Sequence, residues 1–228
     1  MKKNIYKIVL LVVCLLTMGG LTAQTPQQRT TSTIVADVLA QLPAETTAQY
    51  NQLMTDLVST GEEGLMNVIN TMLPPGPESN AKVKFALSGW TNFVAKDEAK
   101  RIEAAKTYGK ALGNDLHEET KAFIIRQLER IGGEESIDVL ASLLTDERLA
   151  GPASQALATM HLPQANEALA KALENAKSEE MKIQLVNAIA QTESKNVEDL
   201  LLNLLKDAQT PDLKKTTLTA LSKLGSKA

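Results

Sequence analysis

Cysteine is nearly missing from this chain of 228 residues. Cys14 is the only one, so no disulfide can close within the chain and no thiolate pair can hold a metal. Aromatic rings are scarce too. Tyr6, Tyr50, Phe85, Trp90, Phe93, Tyr108 and Phe123 make up 3% of the residues. A surface that stacks sugars or single-stranded nucleic acid needs several rings side by side, and few are available. Histidine occurs twice, at His117 and His161, and neither has a second histidine or cysteine at metal-ligand spacing. Lysine and arginine number 24 against 27 acidic residues, and no basic cluster offsets that balance. Nucleic acid is therefore not an expected partner. The chain also lacks a Gly-x-Ser-x-Gly elbow, a phosphate-cradling glycine loop and a dinucleotide fingerprint. Catalytic residues, cofactors and metals are accordingly expected to be none.

The N-terminus carries an address. Lys2, Lys3 and Lys7 precede an apolar run from Ile8 to Met18, and Gly19, Gly20, Thr22 and Ala23 follow it. That order predicts a secretory signal peptide over residues 1–23, cut between Ala23 and Gln24. The run is too short to span the roughly 30 Å of bilayer hydrocarbon, so no stable membrane span is expected after cleavage. Val13 stands before Cys14 where a lipoprotein signal has a small residue, so Cys14 reads as part of the apolar run rather than as a lipid anchor. The expected location is the periplasm or the cell exterior. Removing residues 1–23 takes three lysines and no acid, which leaves a net charge of −6.

Residues 24–33 are polar and aperiodic and read as a flexible leader. From Ile34 onward apolar residues recur at three- and four-residue steps, and Ala, Leu, Glu and Lys dominate. Residues 34–113 read as an N-terminal helical region, with helices from about Glu45 to Leu57, Glu63 to Met72, Ala81 to Ala95 and Glu98 to Leu112. Pro74, Pro75 and Pro77 break the chain between the second and third, where Ser79 is placed to cap.

Residues 114–228 are more regular, with the last repeat incomplete. The segments Lys121–Gly132, Ala153–His161, Lys182–Thr192 and Lys214–Gly225 share one ending, so that Leu128, Leu157, Ile189 and Leu221 recur at intervals of 29, 32 and 32 residues. Between them lie three stripes at helical spacing: Ile137, Leu140, Ala141 and Leu144; Ala165, Ala168, Leu169 and Ala172; Val197, Leu200, Leu201 and Leu204. The unit is helix, tight turn, helix with a period of about 30, and such pairs bury their apolar faces by stacking. The expected fold is all-α, an α-solenoid of antiparallel helix pairs.

The stretch 119–147, ETKAFIIRQLERIGGEESIDVLASLLTDE, resembles a short HEAT-like repeat of the kind found in phycobilin lyases. Residues 149–177 and 180–208 match more loosely, with His161 and Gln191-Thr192 where the glycine turn is expected. The stretch AKVKFALSGWTNF, Ala81–Phe93, following a Pro/Gly-rich loop and preceding repeats, is similar to helical regions of exported bacterial proteins, some of which carry a 3-keto-disaccharide hydrolase domain. The resemblance implies architecture; no catalytic domain of that kind lies in these residues.

Residues that invite a chemical reading have plainer ones. Ser79-Asn80-Ala81-Lys82 has the Ser-x-x-Lys spacing of penicillin-recognising enzymes without their other elements, and a serine there reads as a helix cap. Glu118-Glu119, Glu134-Glu135 and Glu179-Glu180 recur at expected helix starts, where negative charge favours the dipole. His117 is expected in the turn at a helix start and His161 at a helix end. Phe85, Trp90 and Phe93 read either as core filling or as a hot spot for a partner. Off-core positions of the second helices, Asp138, Ser142, Asn166, Lys171, Asp199, Leu202 and Asn203, form the candidate partner surface, with Leu202 outside the apolar stripe. Leu218, Leu221 and Leu224 of the last helix have no following helix to cover them, which points either to self-association through the C-terminus or to a truncated chain. The function expected is a non-enzymatic exported scaffold for protein–protein interaction. The alternative is the N-terminal helical region of a larger secreted carbohydrate-active hydrolase whose catalytic domain is not in this chain.

Overall fold

The computed structural model describes residues 29–76, 79–192 and 194–225, the side chain of Lys195 apart. The expected signal segment, with its cut between Ala23 and Gln24, lies outside the described residues. Among those residues every regular element is helical. The helices are α1 (Thr31–Gln41), α2 (Thr47–Val58), α3 (Gly61–Asn70), α4 (Ala81–Val94), α5 (Glu98–Leu112) and α6 (Glu118–Ile131). They continue as α7 (Glu134–Ser142), α8 (Ala150–Thr159), α9 (Pro163–Asn175), α10 (Glu179–Thr192), α11 (Glu198–Asp207) and α12 (Pro211–Lys223). Single 3₁₀ turns follow α7 (Leu143–Thr145) and precede α11 (Lys195–Val197).

Local chemistry sets many of these boundaries. The Thr46 hydroxyl accepts the Gln49 N–H at 3.1 Å to start α2, and Asp97 accepts the Lys100 N–H at 3.2 Å to start α5. Those backbone and lysine contacts hold the Asp97 carboxyl below the usual carboxylate range. Pro163 and Pro211 open α9 and α12, where a missing N–H costs nothing. α1 begins inside the stretch read as a leader. Thr31, Ser32 and Thr33 carry no apolar side chain, so periodicity could not show them. The Thr31 hydroxyl donates to Glu63 on α3 at 3.0 Å, and Val35 and Val38 enter the core.

The helices stack in two rows. α2, α4, α6, α8, α10 and α12 pack successively in the first, and α1, α3, α5, α7 and α9 in the second. Every second-row helix packs on the first-row helix that follows it. In contrast, α6 and α7, joined by a short turn, touch little, as do α10 and α11. Of the three pairs read in the sequence, α8 with α9 packs, whereas the first and third do not and pack on other neighbours instead. Residues from Thr31 onward form one compact unit, and one hydrophobic cluster runs from Val35 to Leu224, across the boundary expected near residue 113. The second row loosens at its end, because the main partner of α11 is α12 rather than α9.

The last helix differs from expectation. Leu221 and Leu224 are buried, because α12 packs on α10 and α11 and carries them into the core. Only Leu218 of that stripe is exposed, at 48%.

Two positions pin the stack. Arg101 of α5 reaches the turn between α6 and α7. Its Nη1 donates to the Ile131 carbonyl and, at 2.7 Å, to Glu135 Oε1, which also accepts the Gly133 N–H at 3.0 Å. Its other nitrogens hold Glu98 at 2.9 Å. At the same turn Gly132 has an ordinary φ of −65°. Glycine is needed there for space: a Cβ would stand 2.5 Å from the Leu128 carbonyl oxygen and 2.7 Å from Met160 Cε.

Tyr108 is wholly buried, and its hydroxyl donates to the Leu87 carbonyl at 3.2 Å and lies 3.0 Å from Thr91 Oγ1. Burial pushes its hydroxyl well above the ordinary value of 10. The unfolded chain therefore loses this proton first, and above about pH 10 it binds fewer protons than the folded chain. Tyr108 thus contributes its full stability below pH 10 and loses it as pH rises further, by up to about 1.4 kcal/mol per pH unit. Tyr50, raised by burial as well, adds to the same slope. Tyr108→Phe is expected to cost about 1 kcal/mol at neutral pH and to flatten the alkaline decline. Urea midpoints between pH 8 and 11 check this, and an unchanged decline in the variant contradicts it.

Candidate functional site

A concave surface with an apolar floor lies between α7 and α9 in the second row. It is a groove of about 540 Å³. Ile137, Ala141 and Leu144 line it from α7 and the turn after it, Ala168 and Ala172 from α9, and Met181 from α10. Asp138, Thr145, Gln164, Glu167, Lys171 and Asn175 complete the lining. The cause is residue size. The α9 stripe places Ala165, Ala168 and Ala172 where the α11 stripe places Val197, Leu200 and Leu204. Small side chains between two packed helices leave a trough, and Ala141, Ala168 and Ala172 are only partly buried in it.

A second cavity of about 460 Å³ opens where the second row loosens, lined by His161, Pro163, Gln164, Asn166, Ser194 and Asn196 among others. His161 ends α8, its N–H donating to the Ala158 carbonyl at 3.4 Å. It stands at a φ of 51°, the left-handed slot in which the corresponding Gly225 has 73°. Histidine tolerates that region better than branched residues do. Asn166 Oδ1 is shielded from water without a donor, a local cost of about 1–3 kcal/mol.

The residues expected to form a partner surface divide. Asp138 and Lys171 lie on the groove and Asn166 in the neighbouring cavity. Ser142 is exposed at the end of α7, its hydroxyl donating to the Val139 carbonyl at 2.7 Å. Asp199 and Asn203 are exposed on α11, which does not continue the groove-bearing helices. Leu202 is no exposed contact, since it packs partly against the core.

The other singled-out residues have structural partners. His117 caps α6, its Nδ1 accepting the Glu119 N–H at 3.2 Å. Ser79 Oγ accepts the Ala81 N–H at 3.1 Å, beside Asn80 at the helix cap. Lys82 reaches away from Ser79 to the Ala40 carbonyl at 3.1 Å. The glutamate pairs open α6, α7 and α10. Of the three rings on α4, Trp90 is buried, Phe93 partly buried and Phe85 exposed. Among the described residues no cluster of three or more His, Cys, Asp or Glu is placed to hold a metal, and no helix is long and apolar enough to cross a membrane.

Fold and surface together define an all-helical protein of stacked helices with an alanine-floored groove. In comparisons with known proteins, the chain matches no family model and no curated protein.

Proposed function

We propose that the protein is an exported, non-enzymatic scaffold, a short α-solenoid of HEAT-like pairs whose groove between α7 and α9 receives apolar side chains of a protein partner. The observation that carries this reading is the groove itself: small apolar residues on its floor and Asp138 and Lys171, of opposite charge, on its rim. An apolar centre inside a polar rim is the anatomy of a protein interface.

Magnitudes set the expected strength. Two leucine-sized side chains entering the groove supply about 3–6 kcal/mol. Association costs about 4–15 kcal/mol. The rim must therefore contribute, and a reversible complex in the micromolar range is expected. In cells that make the protein, a photo-crosslinking residue at Ala168 is expected to give a discrete protein adduct that the same residue at Ser222 does not. The recovered protein is expected to begin at Gln24 in the exported fraction. Equal labelling from both positions, or none from Ala168, contradicts the scaffold reading; retention of residues 1–23 in the cytoplasm contradicts export.

A further inference from the structure

We infer that the face formed by α2, α4 and α6 is a second docking surface, specific for an acidic protein segment that carries an apolar side chain among its carboxylates. It lies on the first row of helices and shares no residue with the groove. It is therefore independent of the groove reading.

The inference begins with where the positive charge goes. Arg101 and Arg148 are neutralised by carboxylates, Arg101 by Glu98 and Glu135 and Arg148 by Glu118. Lys84, Arg126 and Arg130 are treated differently. Lys84 Nζ and Arg126 Cζ each lie 5.8 Å from the centre of the Phe123 ring. Arg130 donates to the side chain of Asn92. Among the described residues no carboxylate lies within ion-pair distance of these three, and all three are exposed. Three cations held by rings and an amide keep their charge available, on a chain whose overall charge is negative.

An apolar anchor stands beside them. Phe85 is 37% exposed, and its ring meets Tyr50 edge-on at 6.3 Å. Tyr50 is fixed in turn, donating to the Gly89 carbonyl at 3.2 Å, and the Arg130 charge acts on it. Arginine and aromatic rings are the residue types that carry interface energy. Gln127 falls between Phe123 and Arg130 on one stripe of α6. It is buried, and its Oε1 has no donor. Its Nε2 donates to the Phe123 carbonyl at 3.3 Å, so the oxygen alone is left over; a surface that only had to be soluble gains nothing from an unpaired amide oxygen beneath it, and local violations of this kind collect at functional faces. Glu119 lies at one end, in the same depression as Lys84. It sets an electrostatic limit to the patch on that side.

Charge selects the occupant. An acidic segment is attracted by three uncompensated cations, and an apolar side chain within it covers Phe85. The probe is a fluorescein-labelled octapeptide, EDEFLEDE, titrated at low salt with the full chain by fluorescence anisotropy. Saturable binding is expected, weakening as salt rises. Arg126→Glu/Arg130→Glu is expected to lower affinity at least tenfold and Phe85→Ser roughly fivefold. Ala168→Trp in the groove is expected to leave it unchanged. Lys84→Glu, on a separate helix, is expected to repeat the loss should the double variant melt early. The inference is overturned by absence of saturable binding, by equal affinity for the ring-free peptide EDESSEDE, or by charge reversal without effect. Charge-dependent binding to phosphatidylglycerol vesicles in preference to the peptide overturns it as well.

Discussion

Gly132→Val is expected to cost about 3 kcal/mol of stability, read as a lower urea midpoint at unchanged slope. The first carbon of the new side chain would stand 2.5 Å from the Leu128 carbonyl oxygen. That oxygen cannot move aside, because it accepts the Gly132 N–H and closes α6. Met160 Cε, at 2.7 Å on the neighbouring first-row segment, can swing away, so the backbone contact decides the outcome. Gly113→Ala is the control. Its φ is −77° and its nearest obstacle is at 3.4 Å. Stability there is expected to hold or rise by about 0.5 kcal/mol as the unfolded chain loses freedom. Equal costs at the two positions would show that close approach at Gly132 is not what requires glycine.

Arg101→Met is expected to cost about 2–3 kcal/mol. The side chain is only 16% exposed and Glu135 13%, so removing the guanidinium strands a carboxylate that water reaches poorly. The Ile131 carbonyl loses its donor at the same time. Glu135→Met alone is expected to cost less, because Glu98 still neutralises the arginine. Arg101→Met/Glu135→Met together should recover part of the single loss. The coupling in this double-mutant cycle is expected at about 1 kcal/mol or more. Strict additivity would mean that the pair does not act as a unit. Arg101→Lys is expected to fall in between, since an ammonium cannot reach Glu98, Glu135 and Ile131 together.

The helices were legible because apolar residues recur at three and four. α5 agrees with its expected bounds of Glu98–Leu112, and α6, α8, α10 and α12 each begin about three residues before the segment that showed them. Glutamate pairs open α6 and α10, while Ala150-Gly151-Pro152 opens α8 and Pro211-Asp212 opens α12, and none of these starts shows the three- and four-residue apolar step. The start of α1 is hidden for a related reason, Thr31-Ser32-Thr33 being silent in periodicity. The all-α class was therefore open to reading, whereas the pairing of each second-row helix with its successor was not. Pairing depends on contacts such as Arg101 of α5 with the Ile131 carbonyl of α6, which no local pattern encodes.

The candidate surface was partly legible. Asp138 and Lys171 follow from counting off-core positions on helices. The groove they border was written in the alanines of α9, a difference in side-chain volume rather than in polarity. Asp199 and Asn203 would join them only in an unbroken row of second helices, and α11 departs from that row. Leu202 followed from stripe geometry alone, which ignores the neighbours that partly cover it. The cationic face on α2, α4 and α6 left little sequence signal, because Arg126 and Arg130 stand one turn apart on α6 but Lys84 lies far from them in the chain. Only the fold brings them round Phe123 and Tyr50.

Partner binding in the groove rests on its being open. Its most direct test is calorimetric titration of the protein crosslinked from Ala168, once purified, against the wild-type chain and Ala168→Trp. A tryptophan at that position fills the trough between α7 and α9 from its own floor. A one-to-one complex in the micromolar range is expected with the wild type. At least a tenfold loss is expected on filling the groove, with the melting temperature kept within a few degrees. Undiminished affinity for the filled variant would contradict partner binding there.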